Sequence, residues 1–464
     1  MIVREAKLLN GTKAQYQALD DAIRTAQFIR NKAVRYWMDN QSVGKADLYK
    51  LCKDLAAVFD FALKLNSAAR QASAERAWAA ISNFYKRCKK QEKNIGYPKF
   101  KKHCRSVEYK VSGWKLSDDC KIITFTDGFK VGSLSVFCNS STREDLLTLK
   151  INRVRVVRRA DGYYAQFCFD AERKEVGEFT GKVVGLDLGL KFFTKDQNDN
   201  AVIYPQFLRK SERRLKKAQR RLSKKFVKDR KPQSINYHKS RKRLGRVHLK
   251  ITRQRKDWAI KQARCVVALN DVVVYEDLKI ANMVKNHHLA KSISDCSWHQ
   301  FTQWLEYYGK IWDKAVVAVS PNYTSQDCSN CGHRVKKSLS TRTHSCPNCR
   351  VEICRDTNAA VNILKKGMKI LGVEWQSGKS GLLPKGDPRG DSVRVASRRE
   401  AVASQTLLPS LPLRYPASGV SPSGGLFQDN STSGQEGSAE QSGKHGEKTA
   451  NTIDGKLDIA SGFL

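Results

Sequence analysis

Three acidic residues stand in separate settings that could bring carboxylates together. They are Asp187 in Val183-Val184-Gly185-Leu186-Asp187-Leu188-Gly189, Glu276 in Val272-Val273-Val274-Tyr275-Glu276-Asp277-Leu278, and Asp356 in Arg355-Asp356-Thr357-Asn358-Ala359-Ala360. The first two are apolar runs ending in an acid, which read as buried strands with a carboxylate at the sheet's edge; Gly189 lets the chain turn sharply after the first. The third opens a helix. Singly, each has a plainer explanation: Asp-X-Gly is a common turn, Glu276 or the better suited Asp277 could cap the next helix, and Asp356 could be an N-cap. Together they suit hard divalent cations, which take oxygen ligands. Two such ions about 4 Å apart cut phosphodiesters, one activating water and the other stabilising the leaving oxygen.

A second constellation is Cys328-Ser329-Asn330-Cys331 followed, after fourteen residues, by Cys346-Pro347-Asn348-Cys349. Paired Cys-x₂-Cys knuckles at this separation suit tetrahedral zinc. His333, His344 and Cys354 are nearby substitutes, but the four cysteines suffice. No open coordination position is evident, so the site reads as structural. Arg334, Lys336, Lys337, Arg342 and His344 make the intervening segment a basic finger. His287, His288 and His299 form no His-hydrophobe-His pair and are not assigned to chemistry.

The surrounding chain is strongly cationic. Its 464 residues carry a formal charge of +40, and 40% of them are hydrophobic, enough for two to four domains with real cores. From residue 376 onward ten Lys/Arg face nine Asp/Glu, so all but one unit of that charge falls on the first 375 residues. A polyanionic partner follows, and with a phosphodiester-cutting site that partner is nucleic acid. The N-terminal Met-Ile-Val-Arg-Glu-Ala-Lys lacks a signal peptide's apolar segment, and no run approaches the roughly 20 apolar residues that span a bilayer. Thirteen cysteines, an odd number in a long chain, include Cys52, Cys168 and Cys265 in apolar surroundings. The expected compartment is a reducing prokaryotic cytoplasm, with the protein at the nucleoid.

Periodicity supplies the elements that must position these residues. Helical spacing covers 13–40, through Tyr16, Leu19, Ile23, Ala26, Val34 and Trp37, and again Ser67 to Lys90; the basic loop 96–102 breaks this block. From about residue 106 the period becomes two. Leu147, Leu149 and Ile151 alternate with polar residues, and a hairpin turns at Asp161-Gly162, its exposed rows carrying arginines that could track a phosphate backbone. Between 209 and 256 lie 22 Lys/Arg and two acids, Glu212 and Asp229, with Leu208, Leu215 and Leu222, then Leu244, Ile251 and Trp258, recurring at sevens. This predicts a helical hairpin with a narrow apolar seam and cationic outer faces. Like charges one turn apart repel, so an anion must compensate. Past residue 376 the pattern stops and the composition is that of a disordered tail.

The order strand-acid, strand-acid, helix-acid is the metal constellation of RNase H-like nucleases. With Thr324-Ser325-Gln326-Asp327-Cys328, the two knuckles and Arg355-Asp356-Thr357-Asn358-Ala359-Ala360, the chain over roughly residues 1–370 resembles the TnpB family. These are RNA-guided nucleases of bacterial insertion sequences, related to type V CRISPR effectors. The resemblance implies an α/β protein with added α and β modules. A RuvC-like nuclease domain would span 181–323 and 350–375, including the basic hairpin 208–258, with a zinc finger at 324–349. A helical recognition lobe would occupy 13–103, and a β-barrel-like wedge module 1–12 and 104–180. It further implies catalytic Asp187, Glu276 and Asp356 holding two Mg²⁺, and Zn²⁺ on Cys328, Cys331, Cys346 and Cys349. The partners would be a guide RNA from the element's end and double-stranded target DNA. Ile353-Cys354 departs from the His-Asp or similar pair that relatives often carry there. Two alternatives are a strand-transfer transposase, which would need no co-purifying RNA, and a non-cleaving RNA-guided DNA-binding regulator, expected to have lost an acid.

Overall fold

The computed structural model describes residues 2–373 except 93, 94, 174, 176, 230, 231 and 339. The tail expected from residue 376 lies outside the described residues. After strand β1 (Ile2–Leu9), Thr12 opens helix α1 (Lys13–Asp39) with a capping box: its hydroxyl accepts from the Gln15 backbone while Gln15 Oε1 accepts from Thr12 N. Helices α2 (Lys45–Val58), α3 (Asp60–Lys64) and α4 (Ser67–Lys89) follow, and the alanines at 69, 72, 74 and 77 of α4 are buried. Periodicity located α1 and α4; α2, which buries Leu48, Cys52 and Leu55, and the five-residue α3 lie between them unassigned by that reading.

Strands β2 (Ser106–Tyr109), β3 (Trp114–Leu116), β4 (Ile122–Phe125) and β5 (Gly132–Phe137) precede helix α5 (Ser140–Thr148), then β6 (Ile151–Arg159) and β7 (Gly162–Phe169). The alternation around 147–149 is therefore not a strand. Asn139 caps a helix by accepting from Thr142 N, and the strand starts only at Ile151. The sheet runs β2-β6-β7-β1-β5-β4-β3, with β1 antiparallel to both β7 and β5. Among the described residues no ladder joins β2 to β3, so the hydrogen bonding stays open rather than closing into a barrel. One core runs through helices and sheet together, from Leu19, Ile29 and Ile81 to Val107, Phe125 and Phe167.

The arginines of the β6–β7 hairpin do not form a free row. Arg153 and Arg155 both bind the buried Glu108, at 2.9 and 2.7 Å; Arg158 binds Asp20 at 2.9 Å, and Arg159 pairs with Glu5. Carboxylates distant in sequence satisfy these cations, which corrects the expectation of a phosphate-tracking face.

The next region holds β8 (Val183–Asp187), β9 (Thr194–Asp196), β10 (Ala201–Val202), α6 (Phe207–Ser223), α7 (Ile235–Leu269), β11 (Val272–Glu276), α8 (Ile280–Met283), α9 (His287–Cys296), α10 (Trp298–Trp312) and β12 (Ala315–Val319). Beyond these come β13 (Thr343–Ser345), β14 (Glu352–Cys354) and α11 (Arg355–Ile370). The strands form a five-stranded sheet, β10-β9-β8-β11-β12, in which β8, β11 and β12 are parallel and β9 and β10 return antiparallel. Val273 and Tyr275 face a core with Phe193, Ala263 and Phe301, while Val272 and Val274 face Ile363, Leu364 and Met368 of α11. Covered on both faces, β11 is an unbroken apolar run. Two glycines let α11 lie close: a Cβ on Gly185 would stand 2.4 Å from Ala360 O, and one on Gly367 2.3 Å from Val274 Cγ2.

The predicted basic hairpin is α6 packed on α7, with Leu208, Leu215 and Leu222 half-buried and Leu244 and Ile251 buried. Its base is pinned by the buried Asp295, which accepts from Leu208 N (2.9 Å), Arg209 N (3.1 Å) and Arg255 Nε (3.3 Å). That carboxylate takes the place of a side-chain N-cap, since Gln206 offers none. Among the described residues no helix is long and apolar enough to cross a membrane.

Candidate functional site

Asp187 ends β8 and Glu276 ends β11; the register pairing Tyr275 with Leu186 puts both acids at the same level on adjacent parallel strands. Asp356 is the second residue of α11, whose N-cap is Cys354, so Asp356 is not the cap. Neither Glu276 nor Asp277 caps a helix, because α8 starts after Lys279. Glu276 and Asp356 therefore lie outside the capping roles considered for them.

Their electrostatics meet at Asp187. Asp187 is pushed well above the ordinary carboxylate range, first by burial, then by the charges of Glu276 and Asp356, with Arg355 opposing. Burial also raises Glu276, against a hydrogen bond from Thr324 and the charge of Lys366. Arg355 donates to Asp356 Oδ1 from Nε (3.0 Å) and Nη2 (2.8 Å), and Nη1 reaches Thr341 O (2.9 Å).

Four residues that sequence reasoning gave no role complete the surroundings. Thr324, buried, donates from its hydroxyl to Glu276 Oε1 at 2.6 Å. Asn362 of α11 holds the Thr324 carbonyl at 2.9 Å, while Asn358 binds Asp327 O and Ser329 N, each at 2.8 Å. The helix that presents Asp356 thus also fixes the loop that orients Glu276 and leads into the first cysteine knuckle. Lys195, directly across the β8–β9 ladder from Asp187, is buried and donates to Cys354 Sγ (3.1 Å) and Asp199 Oδ1 (2.8 Å). Burial raises the Cys354 thiol, but hydrogen bonds from Lys195 and the Thr357 and Asp356 backbone bring it below its usual value. Cys354, the residue that departed from the family pattern, therefore occupies the N-cap position of α11 and accepts from a lysine.

The four cysteines form the other centre. Their sulfurs all lie within 4.8 Å of one another, with Cys328–Cys349 and Cys331–Cys346 each at 3.6 Å. Tetrahedral zinc at about 2.3 Å per bond would need sulfurs about 3.8 Å apart. The two knuckles repeat one geometry. Cys328 N donates to His333 O and Gly332 N to Cys328 O; Cys346 N donates to Val351 O and Arg350 N to Cys346 O. Both close on a left-handed residue, Gly332 (φ 78°) and Arg350 (φ 61°). Hydrogen bonds, the first from Asn348, lower Cys331 to about 6, whereas burial lifts Cys328 to about 11. The cluster is consistent with structural zinc. His333, His344 and Cys354 stand outside it.

Among the described residues the carboxylates do not form a set gathered as closely as the sulfurs. The finger is also less open in its charge than its composition suggested. Arg334 pairs with Asp327 at 2.7 Å and lies 3.6 Å over the Tyr323 ring. Lys337 donates to Ser325 O and faces the fully buried His344, leaving Lys336 and Arg342 exposed. His287, His288 and His299 are exposed.

Comparisons with known proteins follow these elements. A family model described as a probable transposase matches residues 166–287, which carry Asp187 and Glu276. One described as the Cas12f1-like TNB domain matches 298–363, which carry the four cysteines and Asp356. A Streptomyces pristinaespiralis protein named "Putative RNA-guided DNA endonuclease" is 35% identical over 191 residues, 41% of this chain and 46% of that protein. The Escherichia coli K12 protein named "Putative RNA-guided DNA endonuclease InsQ" is 29% identical over 322 residues, 65% of this chain and 75% of its own length. TnpB-like protein L79 of Acanthamoeba polyphaga mimivirus is 32% identical over 132 residues, 27% of this chain and 25% of that protein. The alignment thus spans under half of the Streptomyces protein and a quarter of the viral one. Among solved structures, a Cas12f1–sgRNA–target DNA complex aligns with TM-score 0.46 at 14% identity, over 75% of this chain and 81% of that one. Both family models thus fall on the segments that hold this chain's acids and cysteines, and TnpB-like proteins are among its relatives.

Proposed function

We propose that this protein is an RNA-guided DNA endonuclease whose carboxylates Asp187, Glu276 and Asp356 serve metal-dependent phosphodiester hydrolysis. The observation that carries the reading is the convergence of two strand ends and one helix start on a site where burial and neighbouring acids raise the proton affinity of Asp187. An acid cluster of this kind favours a bound cation over three bare charges. The donors fit magnesium: oxygen ligands at sheet ends, with the thiols assembled in a separate centre. When bound there, two magnesium ions would supply water activation and stabilisation of the leaving oxygen.

The chain's own part is positioning. Thr324 fixes the carboxylate of Glu276, and Arg355 offsets the charge of Asp356 beside the reacting phosphate. The sheet order β10-β9-β8-β11-β12 is the order expected of an RNase H-like domain, which supports assigning 181–323 and 350–375 to a RuvC-like unit with 324–349 as its finger. The zinc on Cys328, Cys331, Cys346 and Cys349 would hold that finger against α11. On this reading the helical block and seven-stranded sheet hold a guide RNA and its DNA target through their backbones, base pairing supplying the sequence choice. The relatives' names point the same way.

The test is to sequence RNA that co-purifies with the protein, then programme it against a matching duplex. Wild type should cut, and Asp187→Ala should lose cleavage by ~10³-fold or more while keeping guide-dependent DNA binding. Full activity in that variant would refute the assignment. Cutting and joining without RNA would favour a strand-transfer transposase, the activity in the description of the first matching family.

A further inference from the structure

Helices α1 and α4 and the loop 96–101 border an open groove with a volume of about 630 Å³, separate from the carboxylate cluster. Arg30, Lys86, Arg87, Lys90, Lys99 and Lys101 line it, with Glu92 the one acid on its wall among the described residues. Arg30 is only 6% exposed and makes no ion pair among the described residues; Nη1 donates to Asn31 Oδ1 (3.2 Å) and Lys99 O (3.3 Å). A buried guanidinium without a carboxylate, facing further cations, is a costly arrangement unless an anion enters.

The wall is preorganised. Asn31 accepts from Lys101 N and donates to Lys101 O, both at 2.9 Å; Gln27 accepts from Cys104 N (2.6 Å) and donates to Lys102 O (3.1 Å). Arg87 clamps the loop's start through Gly96 O at 3.0 Å. These bonds hold an extended loop on the flank of α1 and present Tyr97 at the rim. Tyr97 is 51% exposed and rests tilted on Trp37 (5.2 Å) and edge-on to Phe84 (5.3 Å). A fixed aromatic ring beside a cationic groove is the pairing that single strands use, phosphates in the groove and a base on the ring.

We infer that this groove seats a stretch of single-stranded nucleic acid, its phosphodiester oxygens at Arg30 and the lysines and a base against Tyr97. A duplex keeps its base faces stacked inside and has none to offer that ring. An acidic peptide would answer the charges but leave the ring unused. The inference rests on the reading that the helical block holds nucleic acid, but binding here requires neither a divalent ion nor cleavage, so its test can fail while the nuclease assignment stands.

The experiment uses the full-length protein in EDTA with ~12-nucleotide oligonucleotides carrying a thio-substituted photoreactive base, as single-stranded RNA, single-stranded DNA and a hairpin duplex. Single strands should crosslink to the peptide containing Tyr97, and the RNA and DNA arms identify the preferred polymer. The Lys86→Gln/Lys99→Gln variant should lower the slope of log affinity against log salt by ~1.4, at about 0.7 per phosphate contact, with an unchanged melting temperature. Crosslinking by the duplex alone, an unchanged slope, or no crosslink within 96–102 would overturn the assignment.

Discussion

The two candidate metal centres are tied to the same helix, α11, through Asp356 and through Asn358 beside the first knuckle, yet they differ in their electrostatics. The cysteine sulfurs already stand 3.6 Å apart in pairs. Two hydrogen-bonded knuckles of the same geometry fix them there. The carboxylates cannot gather in that way: Asp187 resists ionisation beside Glu276 and Asp356, and Arg355 holds Asp356 by a guanidinium. One centre is preformed by backbone geometry, and the other awaits positive charge to complete it. A structural site gains from the first arrangement, whereas a site that must admit a polyanion and ions together gains from the second.

That contrast can be broken most forcefully at the preformed centre. Cys346→Ser should reduce zinc, read by elemental analysis, from about one ion per chain to near zero, because structural zinc couples tightly to folding. Since Asn358 and Asn362 tie the finger's loop to Thr324, guided cleavage should fall with it. Unchanged zinc content would contradict the four-cysteine assignment.

A smaller effect should come from the loop joining the centres. Thr324→Val removes the hydroxyl that holds Glu276, and should slow cleavage about 10-fold while raising the magnesium needed for half-maximal rate. Thr324→Ser should restore both. If valine and serine behave alike, the hydrogen bond does not position the carboxylate.

The smallest effect is on stability. Asp187 has a folded pKa above its unfolded value of 3.8. The native chain therefore keeps a proton that the unfolded chain has released. The stabilisation from this group is present below the unfolded pKa and is lost as pH rises through the folded one. Without divalent ions, Asp187→Asn should melt above wild type at pH 7 and show no advantage near pH 4. Equal melting at both values would mean that neither burial nor the neighbouring acids penalise the charged form of Asp187.

The difference between the centres also governs what could be read from sequence. The knuckles are local, so Cys-x₂-Cys spacing exposed them, and the apolar runs before Asp187 and Glu276 disclosed strands buried on both faces. Residues whose meaning depends on distant partners stayed hidden. Thr324 meets Glu276 across 48 positions and Lys195 meets Cys354 across 159. The hairpin arginines looked free because Glu108, Asp20 and Glu5 lie far away in sequence. On α6 and α7, by contrast, only Lys216, Arg253 and Arg255 of the 22 cations between 209 and 256 meet a carboxylate among the described residues. There the imbalance of charge did report an unpartnered surface. At 147–149, two-residue alternation misled because Asn139 starts a helix whose cap outweighs it.

The central claim is that Asp187, Glu276 and Asp356 together hold divalent cations. Anomalous scattering from crystals soaked in manganese tests it most directly. The account predicts density among these three side chains in wild type and its loss in Asp187→Ala, with the four-cysteine centre unchanged. A saturating soak that leaves the carboxylates without an anomalous peak would contradict it.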